Sequence, residues 1–262
     1  MVVSGLPITA HQAEVAARAL DQEEARRRHL LISLTGAHAY GFPSPDSDLD
    51  LKGVHVEPTA RLLGLSPPAS HAGRLEIIDG VEIDYASNEV GQVVAGLLGG
   101  NGSLLERVLG MWPVRSAPEH GELAALARSA LSRRYFKHYQ GFATGILREV
   151  QADAAPTAKR VLYVLRTALT GAHLMMHGEV VTDLTALIDE HGFASVRELV
   201  ALKKTRERVP LQAAERDHWL AEAARALAKL EASPELSALP EEPANRAEAE
   251  AWLLALRRSA FG

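Results

Sequence analysis

The sequence contains no cysteine. That excludes disulfide bonds and thiolate-bound metals, so any metal has to sit on carboxylates or imidazoles. It is also compatible with a cytoplasmic location. No run of about 18 apolar residues occurs, so no segment reads as a membrane span. The N-terminus lacks the basic, apolar, small-residue order of a signal peptide. A surplus of basic residues is missing too: the net charge is -5. A protein held to nucleic acid by a broad cationic face is usually basic, which argues against tight, non-specific binding of long duplexes and leaves room for a local basic groove or a small charged substrate. There is no internal repeat and no low-complexity tract.

What is present is an ordinary globular composition over 262 residues, 47% hydrophobic and 23% charged. The length suits one large domain or two small ones. Residues 9–28 read as a helix with Thr9 as N-cap and Val15, Ala16 and Leu20 on one face. Residues 30–34 and 49–56 read as strands, separated by a Gly/Pro/Ser-rich loop at 41–47. Residues 57–72 read as irregular. Residues 74–86 read as a hairpin turning at Asp79-Gly80, a favoured tight-turn dipeptide. Helices are predicted at 88–98 and on to Leu109. From Pro118 no strand is expected, and helices are predicted at 119–132, 133–150, 157–177, 194–208, 211–231 and 246–259. The fold class is therefore α+β, a mixed sheet with helices over residues 1–114 followed by an all-helical part over 115–262.

The informative segment is Leu34-Thr35-Gly36-Ala37, ten intervening residues (38–47), then Asp48-Leu49-Asp50-Leu51. On a strand, Asp48 and Asp50 point to one face and Leu49 and Leu51 to the other. Two carboxylates on one rigid face repel each other, a cost that a divalent cation removes. Hard oxygen ligands suit Mg²⁺, which keeps waters and takes one or two carboxylates plus substrate phosphates. Gly36 ends the preceding strand before a short predicted helix, where a bare backbone can approach phosphate. Asp84, on the returning strand of the hairpin, is the best third carboxylate; Glu82 shares its face and is the rival.

These residues resemble the motif of the DNA polymerase β-type nucleotidyltransferases: a hydrophobic residue, Gly and a small residue, then about ten residues on, Asp-hydrophobic-acidic-hydrophobic. The fuller string, Thr35-Gly36-Ala37-His38-Ala39-Tyr40-Gly41 with Pro45-Asp46-Ser47-Asp48-Leu49-Asp50, looks like the predicted nucleotidyltransferase branch found beside RNA-ligase and RNA-repair genes. Asn101-Gly102-Ser103-Leu104-Leu105-Glu106, and the stretch from Lys159 through Leu165-Arg166 to Gly178, are similar to later segments of that branch. The resemblance runs from about residue 30 to 185.

It implies a polymerase β-like domain that transfers a nucleoside monophosphate from an NTP, ATP foremost, to a hydroxyl, an RNA or tRNA end among the acceptors. It implies two Mg²⁺ ions, replaceable by Mn²⁺, on Asp48, Asp50 and Asp84. Gly36, Ala37, His38, Lys159 and Arg166 are the expected nucleotide contacts. One departure stands out. The family carries Ser or Gly where this chain has Ala37, and a hydrogen bond lost to a charged group is worth about 1.5–3 kcal/mol. That departure keeps open a second class of function, a nucleotide-binding regulator or antitoxin-like protein.

Blander readings compete elsewhere. Asp46, Asp48, Asp50 and Glu57 fall at calcium-loop positions, but Leu51 stands where such a loop needs Gly. Lys159, Tyr163, Arg166 and Thr170 make one polar helical stripe, which suits phosphate binding or a solvated face equally. Arg133, Arg134, Lys137 and His138 alternate with Tyr135, Phe136 and Tyr139; core aromatics with surface charges explain them better than a nucleic-acid groove. His173 and His177 have the i, i+4 spacing of zinc ligands. No Glu follows His173 as in the metalloprotease motif, so buried or capping histidines are expected.

Overall fold

The computed structural model describes residues 5–207 and 209–261. In chain order its elements are α1 (Ala10–Glu24), β1 (Arg28–Thr35), α2 (Gly36–Ala39), β2 (Leu49–Val56), α3 (Thr59–Leu62), β3 (His71–Ile78), β4 (Val81–Glu89), α4 (Val90–Leu98), α5 (Gly102–Leu109), β5 (Pro113–Ser116) and α6 (His120–Ser129). These are followed by α7 (Tyr135–Ala152), α8 (Ala158–His177), α9 (Leu184–Glu190), α10 (Val196–Thr205), α11 (Ala213–Ala232), a 3-10 turn (Ser233–Leu236) and α12 (Arg246–Ser259). The chain divides into two compact units. One comprises residues 1–36, 48–130 and 243–262; the other comprises 37–47 and 131–242.

The first unit is built on a five-stranded mixed sheet in the order β3-β4-β2-β1-β5. The β2–β4 pair is parallel and the other pairs are antiparallel. Thr9 caps α1 in a full capping box with Gln12. That helix lays Val15, Ala16, Ala19 and Leu20 on Ile32, Leu34, Leu49, Leu51, Val81, Ile83 and Tyr85 of the sheet. The hairpin between β3 and β4 turns where the sequence places it: Asp79 (φ 49°) and Gly80 (φ 80°) both take the left-handed backbone that such a turn requires. Asn101 caps α5, accepting a hydrogen bond from Leu104 N at 3.1 Å. Arg107 of α5 donates to Gly53 O at 2.9 Å and to Asn88 Oδ1 at 2.7 Å, tying that helix to β2 and β4.

Helices α6 and α12 belong to this sheet unit, beyond a boundary drawn at residue 114. Asn245 Nδ2 donates to Leu126 O at 3.0 Å, Trp252 Nε1 to Glu122 Oε2 at 2.6 Å, and Arg257 pairs with Glu89 at 2.6 Å. β5 stands where no strand is expected: its four residues are too few to show alternation, and it forms as an edge against β1.

The helical unit centres on α8, which has Thr157 as N-cap and Gly178 as left-handed C-cap. α8 is buried along most of its length and is flanked by α7, α9, α10 and α11. Among the described residues beyond Pro118 there is no strand, apart from one isolated bridge between Thr157 and Pro210. The six helices predicted there all form; Arg208, the last residue of the one predicted at 194–208, lies outside the described residues. α9, unexpected from the sequence, starts at an Asp183 cap that accepts from Thr185 N at 2.8 Å. No helix among the described residues is long and apolar enough to cross a membrane.

Candidate active site

β2 begins at Leu49 with Leu49 and Leu51 sealed in the α1 core, so alternation sends Asp50 and Lys52 to the opposite face. Asp48 stands just before the strand. β4 runs parallel beside β2 with Asp84 as the register partner of Asp50. Register partners share a face, and neighbouring strands lie about 4.7–4.9 Å apart. The sheet therefore brings the two carboxylates together. Glu82 is exposed and precedes the first β2–β4 register pair, Leu49 with Ile83; of the two rivals, Asp84 is the one paired with Asp50.

On the other flank of β2, β1 ends with Thr35 opposite Asp50. There Gly36 turns the chain with φ +67° and passes against the Asp50 side chain. The carboxyl of Asp50 is pushed up to about 6, first by burial and then by the negative charge of Asp48, with Asp84 adding to the effect and Lys52 opposing it.

Lys52 is the member of this group that the sequence reading missed. Its Nζ lies 2.9 Å from Asp84 Oδ2 and 3.3 Å from Asp50 Oδ1, and it donates to Asp84 O at 3.2 Å. The signal was present: Asp48, Asp50 and Lys52 follow at i, i+2 and i+4, the same alternation that pairs the two aspartates.

The other expected site residues belong to the helical unit. Ala37 and His38 are buried in the single turn α2. Lys159 pairs with Glu207, and the Arg166 guanidinium lies over the Tyr40 ring at 3.9 Å. Tyr163 packs edge-on against Tyr40 and Phe42, and Thr170 donates to Val181 O at 2.8 Å. The polar stripe of α8 is thus engaged with the 37–47 segment and its surroundings rather than solvated. In the Arg133–Tyr139 stretch, Tyr135 and Tyr139 are core, while Arg133 and Arg134 pair with Glu241 and Glu242 at the surface.

Comparison with known proteins bears on the sheet unit and the helical unit alike. Protein MJ0002 of Methanocaldococcus jannaschii is 24% identical over 159 residues, 60% of this chain and 64% of that protein; the chain thus spans less than two thirds of that relative. A nucleotidyltransferase-like protein from Exiguobacterium sibiricum, known from a crystal structure, aligns over 95% of this chain and 80% of its own at 12% identity and a TM-score of 0.35, a likeness too low to bear on the fold. The family model for RlaP, the RNA repair pathway DNA polymerase beta family, matches residues 11–255. A match of that extent takes in the carboxylate cluster and both units, and the chain belongs to the RNA repair pathway DNA polymerase beta family.

Proposed function

We propose that the chain transfers a nucleoside monophosphate from an NTP to a hydroxyl acceptor, with Asp48, Asp50 and Asp84 holding Mg²⁺. The family supports nucleotidyl transfer in general. The observation that carries the finer reading is the pairing of Asp50 with Asp84 across β2 and β4, with Gly36 closed down on Asp50. Donors of this kind fit a hard cation: the oxygens are all carboxylate, Asp50 and Asp84 lie on one face of two paired strands with Asp48 just before β2, and burial, together with the negative charge of Asp48 and Asp84, already raises the Asp50 carboxyl. When bound, Mg²⁺ supplies charge neutralisation at the triphosphate and lowers the pKa of the acceptor hydroxyl.

In the reaction, the acceptor oxygen forms a bond to the α-phosphorus of the NTP, the bond from that phosphorus to the bridging oxygen breaks, pyrophosphate leaves, and the hydroxyl proton passes to water. The chain's own part is positional. β2 and β4 fix the carboxylates, Gly36 leaves Asp50 its space, and Lys52 adds a tethered positive charge among them. An RNA end is the acceptor class that the family's description favours.

The test incubates the protein with each α-labelled NTP, Mg²⁺ or Mn²⁺, and a pool of cellular RNA and protein. Asp48→Asn and Asp50→Asn serve as controls. Label transferred to RNA by the wild type and lost in both variants supports the reading. Transfer that persists in both variants overturns it. Metal-dependent NTP binding without transfer to any acceptor shifts the reading to a nucleotide-binding regulator.

A further inference from the structure

A second group of metal-binding side chains lies wholly within the helical unit. His173 and His177 stand one turn apart on α8, and Glu190 is the last residue of α9; the three offer ligand atoms within 4.8 Å of one another. Glu190 Oε1 is 3.3 Å from His173 Nδ1 and 3.1 Å from His177 Nε2. The histidine rings face each other with centroids 4.5 Å apart.

Two details separate this group from an ordinary ion pair. His173 is buried, and neither of its ring nitrogens makes a well-formed hydrogen bond; the Glu190 carboxylate stands 3.3 Å from Nδ1. His191, the C-cap of α9, is buried as well, has no hydrogen bond at either nitrogen, and meets His173 edge-on at 5.6 Å. Buried polar nitrogens without partners are rare, because each has given up its hydrogen bonds to water with nothing in return. Two such rings side by side are explained by a ligand that takes their lone pairs.

The spacing identifies the ligand class. Zinc–nitrogen and zinc–oxygen bonds of about 2.0–2.2 Å put two ligands of a tetrahedral ion roughly 3.3 Å apart. The separations of 3.1 and 3.3 Å match two edges of such a tetrahedron. Imidazole donors select late transition metals over Mg²⁺, so this group differs in kind from the all-carboxylate cluster of the sheet unit. The charges facing it are the carboxylates of Glu179 and Glu190 and the ammonium of Lys229.

We infer that His173, His177 and Glu190 form a zinc-class metal site that pins the end of α8 to the end of α9. His191 is the nearest further donor, and water completes the coordination. The inference does not depend on the proposed nucleotidyl transfer, and it reverses the reading of the two histidines as merely buried or capping residues.

The probe is Co²⁺, whose visible absorption reports tetrahedral coordination, titrated into full-length protein stripped by chelator and then displaced by Zn²⁺. The expected result is a saturable tetrahedral spectrum in the wild type and in Asp48→Asn/Asp50→Asn. In His177→Ala and Glu190→Gln, affinity falls more than about tenfold, since even losses in a metal's outer shell cost about 10–100-fold. His177 and Glu190 are both partly exposed, so these variants keep the fold, which circular dichroism checks. No tetrahedral signal, or the same affinity in His177→Ala, would falsify the inference. A signal lost only in the aspartate variants would place the metal at the carboxylates and equally overturn it.

Discussion

A Cβ placed on Gly36 would lie 1.8 Å from Oδ2 of Asp50, so the glycine is the space in which that carboxylate sits. The backbone there has φ +67°, a conformation that side-chain-bearing residues adopt at a cost of order 1–3 kcal/mol. Gly36→Ala therefore suffers twice, from strain and from displacement of Asp50. We expect a loss of about 1–3 kcal/mol in urea denaturation, and a loss of Mg²⁺-dependent transfer that is larger than this loss of stability accounts for. Transfer at the wild-type level from a folded Gly36→Ala protein would mean that the position of Asp50 is immaterial to the chemistry.

Lys52 reaches the same oxygens from within β2. It contacts Asp50 and Asp84, and the latter is 41% exposed, so solvent screening limits the pair to about 1 kcal/mol. Its ammonium offsets part of the repulsion among the aspartates, and on the proposed reading it would contend with Mg²⁺ for their oxygens. Lys52→Met should lower the stability of metal-free protein by about 1 kcal/mol and enlarge the upward shift in Tm produced by Mg²⁺, because a ligand that binds the native state more tightly stabilises it more. A smaller Mg²⁺ shift in the variant than in wild type would mean that the lysine supports the metal rather than standing in for it.

Much of this was legible in the sequence. The Asp-Leu-Asp-Leu alternation gave β2 its buried and chemical faces, Asp79-Gly80 fixed the hairpin, and together they led to Asp84. Lys52 was legible in principle but passed over, because a lone lysine on a strand reads as solvated until its neighbours are known. Other features are tertiary. The allegiance of α6 and α12 to the sheet unit depends on Asn245, Trp252 and Arg257 finding partners far away in sequence. Glu190 lies thirteen residues beyond His177 (190 − 177), and only the fold of α9, which the sequence did not announce, brings it there.

Two buried histidines make the sheet unit sensitive to acid. His29 Nε2 meets the Tyr85 hydroxyl at 2.6 Å and His55 Nδ1 meets Ser87 Oγ at 2.8 Å. Each is held down to about 4, first by burial; then His55 and Arg27 act on His29, and Arg27 acts on His55. The unfolded chain takes up these protons near 6.5, before the native state does. Stability is therefore complete above about pH 6.5 and is lost as the pH falls toward 4. For one histidine the full effect is about 3 kcal/mol. His55→Asn, which can still hydrogen-bond Ser87, should lose less stability than wild type between pH 6.5 and 4, as measured by urea denaturation at each pH. Equal losses would mean that His55 is protonated in the native state as easily as in the unfolded one.

The loop that leads into Asp48 is anchored by a buried lysine. The Lys203 side chain is 0% exposed. It donates to Ser44 Oγ at 2.8 Å and Ser47 Oγ at 2.9 Å, and it pairs with Glu207. Ser47 also donates to Glu207 Oε2 at 2.7 Å, and the Glu207 backbone N–H donates to Asp46 Oδ1 at 2.8 Å. Burial alone would raise the Glu207 carboxyl, but hydrogen bonds from Lys159, Lys203 and Ser47 hold it down to about 2. Breaking one partner of such a buried pair costs about 3–5 kcal/mol, because the remaining charge is left uncompensated; here Lys159 keeps Glu207 partly neutralised, so Lys203→Met should fall at the low end of that range. The same variant should speed hydrogen exchange at the backbone amides of residues 44 and 46–47, in the loop just before Asp48, while amides in α7 change only as global stability does. A loss under about 1 kcal/mol with unchanged loop exchange would show that Ser44 and Ser47 are held by the surrounding backbone and that the lysine is replaceable by any apolar side chain of its length.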